Sequence, residues 1–292
     1  MQERIQDFLN FLDTEKGYAD NTIAAYRNDL TQFLRYVEEQ NQGSEQSSWS
    51  QVDRDTTINY VLYLKEREYT SSTVARKVAA IKSFFHYLMA EKIVLSDPTA
   101  TLDSPKVKKR LPRAMSRDDI ERLLAAPAQG ASAKSQRDYA LLETLYASGM
   151  RVTELVSLDV DDVNLVSGSV RVRGKKTASK ERVIPIGERA LGALQAYLDK
   201  GRMQLVRDPE ERALFLNHRG QRLTRQGLWL IIKHYVDEVG ISEDVTPHTL
   251  RHSFAAHKLS QGKSLQDIQK LLGHANISTT QVYQHVGLET ET

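Results

Sequence analysis

The chain has 292 residues, 40% of them hydrophobic and 27% charged, with a formal net charge of +2 and no cysteine. Disulfides, thiolate metal sites and a cysteine nucleophile are excluded, and the length exceeds what one core usually organises, so two domains are expected. No apolar run is long enough to span a bilayer, and the acid-bearing, amphipathic start MQERIQDFLNFL does not read as a signal peptide, so a reducing cytoplasm is the expected location.

Residues 1–100 read as four helices with short connections, a small bundle. Asn21 is the expected cap of a helix with an apolar stripe of Ile23, Tyr26, Leu30, Phe33, Leu34 and Val37. Asp55 is the expected cap of the next, which runs to about Glu66. A helix from about Ser72 to Ala90 turns Val74, Val78, Ile81, Phe85 and Leu88 inward and leaves Arg76, Lys77 and Lys82 on its other faces. Those cations are either a solvated face or a contact for phosphates.

At LDSPKVKKRLPRAMSRDD the texture changes. Pro105 and Pro112 suppress helix around Lys106, Lys108, Lys109, Arg110 and Arg113, so residues 104–113 read as an extended basic linker between a domain at 1–103 and another at 114–292. Such a linker is either a soluble tether or a strap along a phosphate backbone, where each neutralised phosphate releases counterions. Ser116 with Asp119 resembles a capping box opening the second domain.

The second domain is mixed α+β. A helix over about Gln136–Ala147 has Leu141, Leu142, Leu145 and Tyr146 as core candidates, and SGMRVTELVSL turns at Gly149 into another helix. SVRVRGKKTASKERVIPI alternates apolar and basic residues on both sides of a Gly-, Lys- and Ser-rich loop, the pattern of a β-hairpin with a long mobile tip. From Gly187 onward, helical segments are broken at Gly201, Pro209, Gly220, Gly240 and Gly273.

TPHTLRHSFAAHKL carries the chemistry. Thr246 followed by Pro247 is a strong helix start, and His248 and Arg251 share a face of its first turn. A helix N-terminus attracts anions, so a guanidinium and an imidazole there suit a phosphate. The rival is zinc, because His248 and His252 stand four apart as in H-E-x-x-H. Thr249 occupies the place of the glutamate, however, and Arg251 sets a cation beside the metal, so no metal is expected. Downstream, a helix over Leu265–Leu272 stops at Gly273, a turn presents His274, and Ser278 is the expected cap of a last helix carrying Tyr283.

ASGMRVTELVSL, the RGKKTASKER hairpin, HTLRHSFA and LLGHANISTTQVY, following an N-terminal bundle, together resemble a tyrosine recombinase of the phage integrase family, nearest the Xer type. The likeness covers almost the whole chain. It implies a SAM-like core-binding bundle and a catalytic domain that close as a C-shaped clamp on duplex DNA. The family pattern lands on Arg151, Lys175, His248, Arg251, His274 and Tyr283, with Glu154 in support and Lys176 as the neighbouring alternative to Lys175. It implies that Tyr283 attacks a phosphodiester to leave a 3′-phosphotyrosine and a free 5′-hydroxyl. Arg151, Arg251 and His274 hold the phosphoryl oxygens, His248 is the candidate base and Lys175 protonates the leaving oxygen, with no cofactor. Arg76, Lys77, Lys82, Lys106, Lys108, Lys109 and Arg110 are the implied DNA contacts.

The implied assembly is a tetramer of identical or paralogous subunits on two duplexes, joined by a Holliday junction and sometimes triggered by an FtsK-like translocase. Since no segment precedes the bundle, no arm-site domain is expected, and GLETET is a short tail for exchange between subunits. The implied role is resolution of chromosome or plasmid multimers. A mobile-element integrase and a non-cutting DNA-binding protein on this fold stand as alternatives, while a type IB topoisomerase fits the bundle poorly.

Overall fold

The opening amphipathic stretch forms α1 (Gln2–Thr14), which buries Ile5, Phe8, Leu9 and Leu12. This computed structural model describes residues 1–40, 48–105, 114–174, 181–242 and 244–285. The chain divides into two units, Met1–Lys109 and Arg110–Thr292. Among the described residues no helix is long and apolar enough to cross a membrane.

In the first unit α2 (Asp20–Gln40), α3 (Arg54–Glu66) and α4 (Ser71–Ala90) join α1 around an aromatic core. Phe33, Trp49, Tyr60, Phe84 and Phe85 pack edge-to-face or offset, with centroids 4.9–6.3 Å apart. Two caps differ from expectation. Helix α2 starts at Asp20, so Asn21 sits inside its first turn. Asp53 caps α3, its Oδ1 accepting the Thr56 N–H at 2.8 Å, and Asp55 lies within the helix.

The face of α4 needs a larger correction. Lys77 is buried, its Nζ 2.9 Å from Asp29 Oδ1 and 2.6 Å from Gln32 Oε1, and Arg76 pairs with the other oxygen of the same carboxylate. Asp29 is itself only 1% exposed, so its charge requires these cations. Lys77 is therefore an internal counterion, not a side chain free for a phosphate. Arg76 keeps 44% of its side-chain exposure, and Lys82 is half-buried. Lys106, Lys108, Lys109 and Arg110 lie outside the described residues.

The second unit opens with α5 (Arg117–Ala125), capped by Ser116, whose Oγ accepts the Asp119 N–H at 3.0 Å. Just ahead, the Met115 N–H donates to Ser253 Oγ at 2.9 Å and its carbonyl accepts from His257 Nε2 at 3.0 Å. Both partners lie on α11 (Pro247–Ser260), so the first residues of this unit are bolted to the helix that carries the histidines and Arg251. Tyr146 on α6 (Ala133–Ser148) completes that bolt, its hydroxyl 2.7 Å from His257 Nδ1.

After α7 (Val152–Val156) comes a three-stranded antiparallel sheet, β1 (Val163–Asn164), β2 (Ser169–Val172) and β3 (Arg182–Pro185), with Val170 opposite Ile184. Period-two alternation buries Val170, Val172 and Ile184. The expected hairpin tip at 175–180 lies outside the described residues. Gly201 does not break the chain: α8 (Glu188–Ala196) continues through a π-helical turn, Tyr197–Gly201, into α9 (Arg202–Leu205). A Cβ at Gly201 would lie 2.9 Å from both Gln136 and Tyr197, so close packing explains this glycine. Then follow α10 (Arg225–Glu238), α11, α12 (Leu265–Leu272) and α13 (Ser278–Gln281).

Gly149 ends α6 in the left-handed region, φ 58°, and the Phe254 ring of α11 occupies the space a Cβ would need, 2.3 Å away. Only glycine meets both conditions.

Three stability tests follow from these contacts. Asp29→Leu strands Lys77 in the bundle and is expected to destabilise the first unit by about 3–5 kcal/mol. Arg76→Ala, at a half-exposed pair, is expected to cost less than about 1 kcal/mol in urea unfolding. Gly149→Ala combines left-handed backbone strain with overpacking and is expected to cost about 2–5 kcal/mol, read as a lowered urea midpoint of the second unit.

Candidate active site

Five elements of the second unit deliver the site. The left-handed Gly149 turns the chain out of α6 and presents Arg151 as the residue preceding α7. Glu154, one turn on, reaches back to accept the Arg151 N–H at 2.7 Å. Its two oxygens also accept a bidentate pair from Arg182 on β3, at 2.9 and 2.8 Å. Burial works to raise the Glu154 pKa, but the bonds from Arg182 and the Arg151 backbone outweigh it and hold the carboxyl below its ordinary range. Glu154 is therefore ionised and orients both arginines.

Arg251 is 5% exposed. Its Nη1 donates to Gly149 O at 2.6 Å, while Nη2 contacts Leu272 O at 2.7 Å and His274 Nε2 at 3.0 Å. Burial and the nearby Arg151 push its pKa down to about 10, so it stays charged at neutral pH. Arg151 reaches the same helix end, with Nη1 3.4 Å from Leu272 O and Nη2 3.3 Å from Gly273 O. Arg182 adds a third contact, Nε to Leu271 O at 3.0 Å. Three guanidinium groups thus converge on the last carbonyls of α12.

Gly273 follows that helix at φ 63°, and a Cβ there would come within 2.8 Å of Arg182 Nη1. It turns the chain so that His274 meets Arg251. Burial, Arg251 and Arg151 push the His274 pKa down to about 4. The ring is neutral at physiological pH, its Nε2 accepts from Arg251 and its Nδ1–H donates to Thr280 Oγ1 at 2.9 Å. Expected to bond a phosphate, His274 here has both nitrogens engaged and orients Arg251.

Tyr283 lies in a 3₁₀ turn, Val282–His285, that continues α13, and Ser278 is the first residue of α13, with Ile277 preceding it as the cap. The ring is 2% exposed, packed in a cluster with Phe254, Ala255, Ile268 and Leu272, and stacks on His274 with centroids 6.4 Å apart and planes 16° apart. Burial raises the phenol's pKa, with Arg251 and Arg151 pulling against it. Its hydroxyl lies 2.9 Å from His252 Nδ1.

Helix α11 starts as read: Thr246 Oγ1 accepts the Thr249 N–H at 3.2 Å and Pro247 follows. His248 is exposed on its first turn and lines an open pocket of about 670 Å³ with Arg151, Thr224, Arg225, Trp229 and Pro247. Arg151, Arg251, His274 and Tyr283 are thus brought together. His248 faces the pocket beside Arg151, and Lys175 lies outside the described residues. Among the described residues no group of His, Cys, Asp and Glu is placed to hold a metal. Two contributors were not picked out by sequence reasoning. Arg182 stood inside the basic hairpin, indistinguishable from its neighbours, and His252 was weighed only as a zinc ligand.

Residues 113–289 match the phage integrase family, and residues 5–92 match the phage integrase N-terminal SAM-like domain. The chain is 52% identical over 286 residues to tyrosine recombinase XerC of Herpetosiphon aurantiacus, covering 98% of this chain and 91% of that one. To tyrosine recombinase XerD of Halalkalibacterium halodurans it is 44% identical, covering 98% and 94%. In fold it matches the XerH recombinase in a post-cleavage complex with a palindromic difH substrate, with a TM-score of 0.74, 21% identity and coverage of 90% and 76%. It also matches a lambda integrase dimer bound to a core site, with a TM-score of 0.73, 17% identity and coverage of 98% and 95%. The two-unit, mainly helical architecture with its small sheet agrees with these relatives, and the chain belongs to the phage integrase family as a tyrosine recombinase of the Xer type, an enzyme that breaks and rejoins DNA.

Proposed function

We propose that this enzyme resolves multimers of circular chromosomes or plasmids in the cytoplasm, recombining two copies of a dif-like site through a Holliday junction. The observation that carries the chemistry is the convergence of Arg151, Arg251, His274 and Tyr283 at the C-terminal end of α12. Tyr283 Oη attacks the phosphorus, the 5′-oxygen leaves and a 3′-phosphotyrosine is formed. A 5′-hydroxyl from the partner strand then reverses the step. One phosphoester replaces another, so the bond energy is conserved.

The pentacovalent transition state spreads negative charge over its equatorial oxygens. Two planar guanidinium groups fixed by carbonyls and by Glu154 are suited to that charge, because they are oriented before the substrate arrives. Arg251 has Nε–H and one Nη1–H without a partner among the described residues, and these are the donors available to a phosphate. His248, exposed beside Arg151, is the base that takes the Tyr283 proton, and Lys175, with Lys176 as its neighbour, supplies the proton for the leaving oxygen. Arg76, Lys82, Lys106, Lys108, Lys109 and Arg110 contact the DNA backbone. The working unit is a tetramer of identical or paralogous subunits on two duplexes, and an FtsK-like translocase triggers it.

A mobile-element integrase would run the same chemistry. The Xer reading is favoured by the XerC and XerD relatives, 52% and 44% identical over 98% of the chain.

Capture on nicked duplex carrying the chromosome's candidate resolution site, in EDTA and on denaturing gels, tests the nucleophile. Wild type is expected to give a covalent band, and Tyr283→Phe none at unchanged DNA affinity; an adduct in that variant assigns the attack elsewhere. Arg251→Lys keeps a charge but cannot span two carbonyls and an imidazole. It is expected to slow single-turnover cleavage by about 10²–10³-fold while the Kd for DNA moves less than about tenfold. Equal losses in both would make Arg251 a binding residue only.

A further inference from the structure

His252 has no task in the chemistry above, yet its Nδ1 lies 2.9 Å from Tyr283 Oη, the reacting oxygen. The two rings are 5.4 Å apart with planes at 51°. His252 sits one turn beyond His248 on α11, and those imidazoles stack with centroids 6.4 Å apart. The backbone gives Tyr283 little restraint, for α13 has four residues and ends in a 3₁₀ turn. Phe254, Ala255, Ile268 and Leu272 hold the ring but, being apolar, cannot fix the direction of its hydroxyl. His252 supplies that restraint.

Donor and acceptor can be assigned. Burial, His248 and Arg251 push the His252 pKa down to about 4, and burial raises that of the phenol. At neutral pH the phenol therefore keeps its proton and donates it to an unprotonated Nδ1, with the imidazole hydrogen on Nε2. So weak a base orients the hydroxyl without removing its proton; for His248 to take that proton in the step above, the O–H must first turn away from Nδ1.

We propose that His252 is a further catalytic residue of strand cleavage, aiming the Tyr283 hydroxyl by accepting its hydrogen bond through Nδ1. This rests on Tyr283 being the nucleophile. Orientation of this kind matters because a small misplacement of the attacking atom costs orders of magnitude in rate.

The test uses the full chain and the same nicked duplex, with single-turnover adduct formation at saturating protein. His252→Asn places an amide oxygen where Nδ1 stood, His252→Gln reaches instead toward the place of Nε2, and His252→Leu fills the space without an acceptor. His252→Asn is expected within about threefold of wild type, and His252→Gln and His252→Leu about 10- to 100-fold slower with unchanged DNA affinity. Leu at the wild-type rate overturns the proposal. So does Asn slower than Leu, the order expected if the ring serves only as packing. An adduct in Tyr283→Phe overturns the nucleophile assignment instead, so the two failures are distinguishable. A second measurement needs no DNA. The ¹⁵N spectrum of histidine-labelled protein is expected to show His252 as the Nε2–H tautomer, with an Nδ1 resonance that shifts in Tyr283→Phe. A Nδ1–H tautomer, or a resonance indifferent to Tyr283, overturns the proposal even for a subunit that is silent without a partner.

Discussion

Everything in the catalytic unit is arranged around the free carbonyls at the end of α12. A helix leaves its last carbonyls unpaired and gathers about half a negative charge there. Leu271, Leu272 and Gly273 offer their oxygens to Arg182, Arg151 and Arg251. Three guanidinium groups would otherwise repel one another, and the depressed pKa of Arg251 registers that repulsion along with burial. The helix end and the ionised Glu154 together supply the negative potential that lets them stand close. The arginine cluster to which a phosphate is assigned above is thereby preassembled by peptide groups.

The surrounding sequence features serve that assembly. Gly149 and Gly273 each end a helix in the left-handed region, and each leaves room where a Cβ would strike Phe254 or Arg182. Met115 ties the start of the unit to α11 through Ser253 and His257, which fixes the helix bearing His248, Arg251 and His252 against α6. The concentration of cations then sets the imidazoles: burial beside Arg251 keeps His252 and His274 neutral, so both accept hydrogen bonds. Charge placement and tautomer are one choice here.

Much of this was legible in the chain because it is local. Thr246–Pro247 and the stop at Gly273 are written within one helical turn and stand as read, while Ser116 caps α5 with Asp119 accepting from its hydroxyl rather than closing a capping box. The cap lies a residue or two from its expected place where small polar residues stand close together, as Asp53 and Asp55, and where no side chain caps at all, as at Ile277 ahead of Ser278. Lys77 reads as a surface cation in sequence because its partner Asp29 is 48 positions away, and spacing on one helix cannot reveal a buried counterion on another. Gly201 reads as a breaker in sequence, but its reason is the approach of α6 through Gln136. Arg182 and His252 were hidden for the same cause. Their partners, Glu154 and Tyr283, lie 28 and 31 positions distant.

The resting arrangement also fixes what DNA must change. Arg251 spends its contacts on Gly149, Leu272 and His274, while Tyr283 is buried and keeps its proton. A phosphodiester carries a full negative charge where the helix end carries a fraction of one, so it competes for the guanidinium N–H groups. A phosphate that takes the Nε–H or the second Nη1–H leaves these contacts in place, whereas one that draws on Nη2 loosens Leu272 O or His274 Nε2. His274 is bonded to Thr280 on α13 and stacked on Tyr283, so the disturbance passes directly to the segment bearing the hydroxyl. On the function proposed above, His274 is the group through which a phosphate on Arg251 would reach Tyr283. His252 meets the same hydroxyl from α11 rather than through His274.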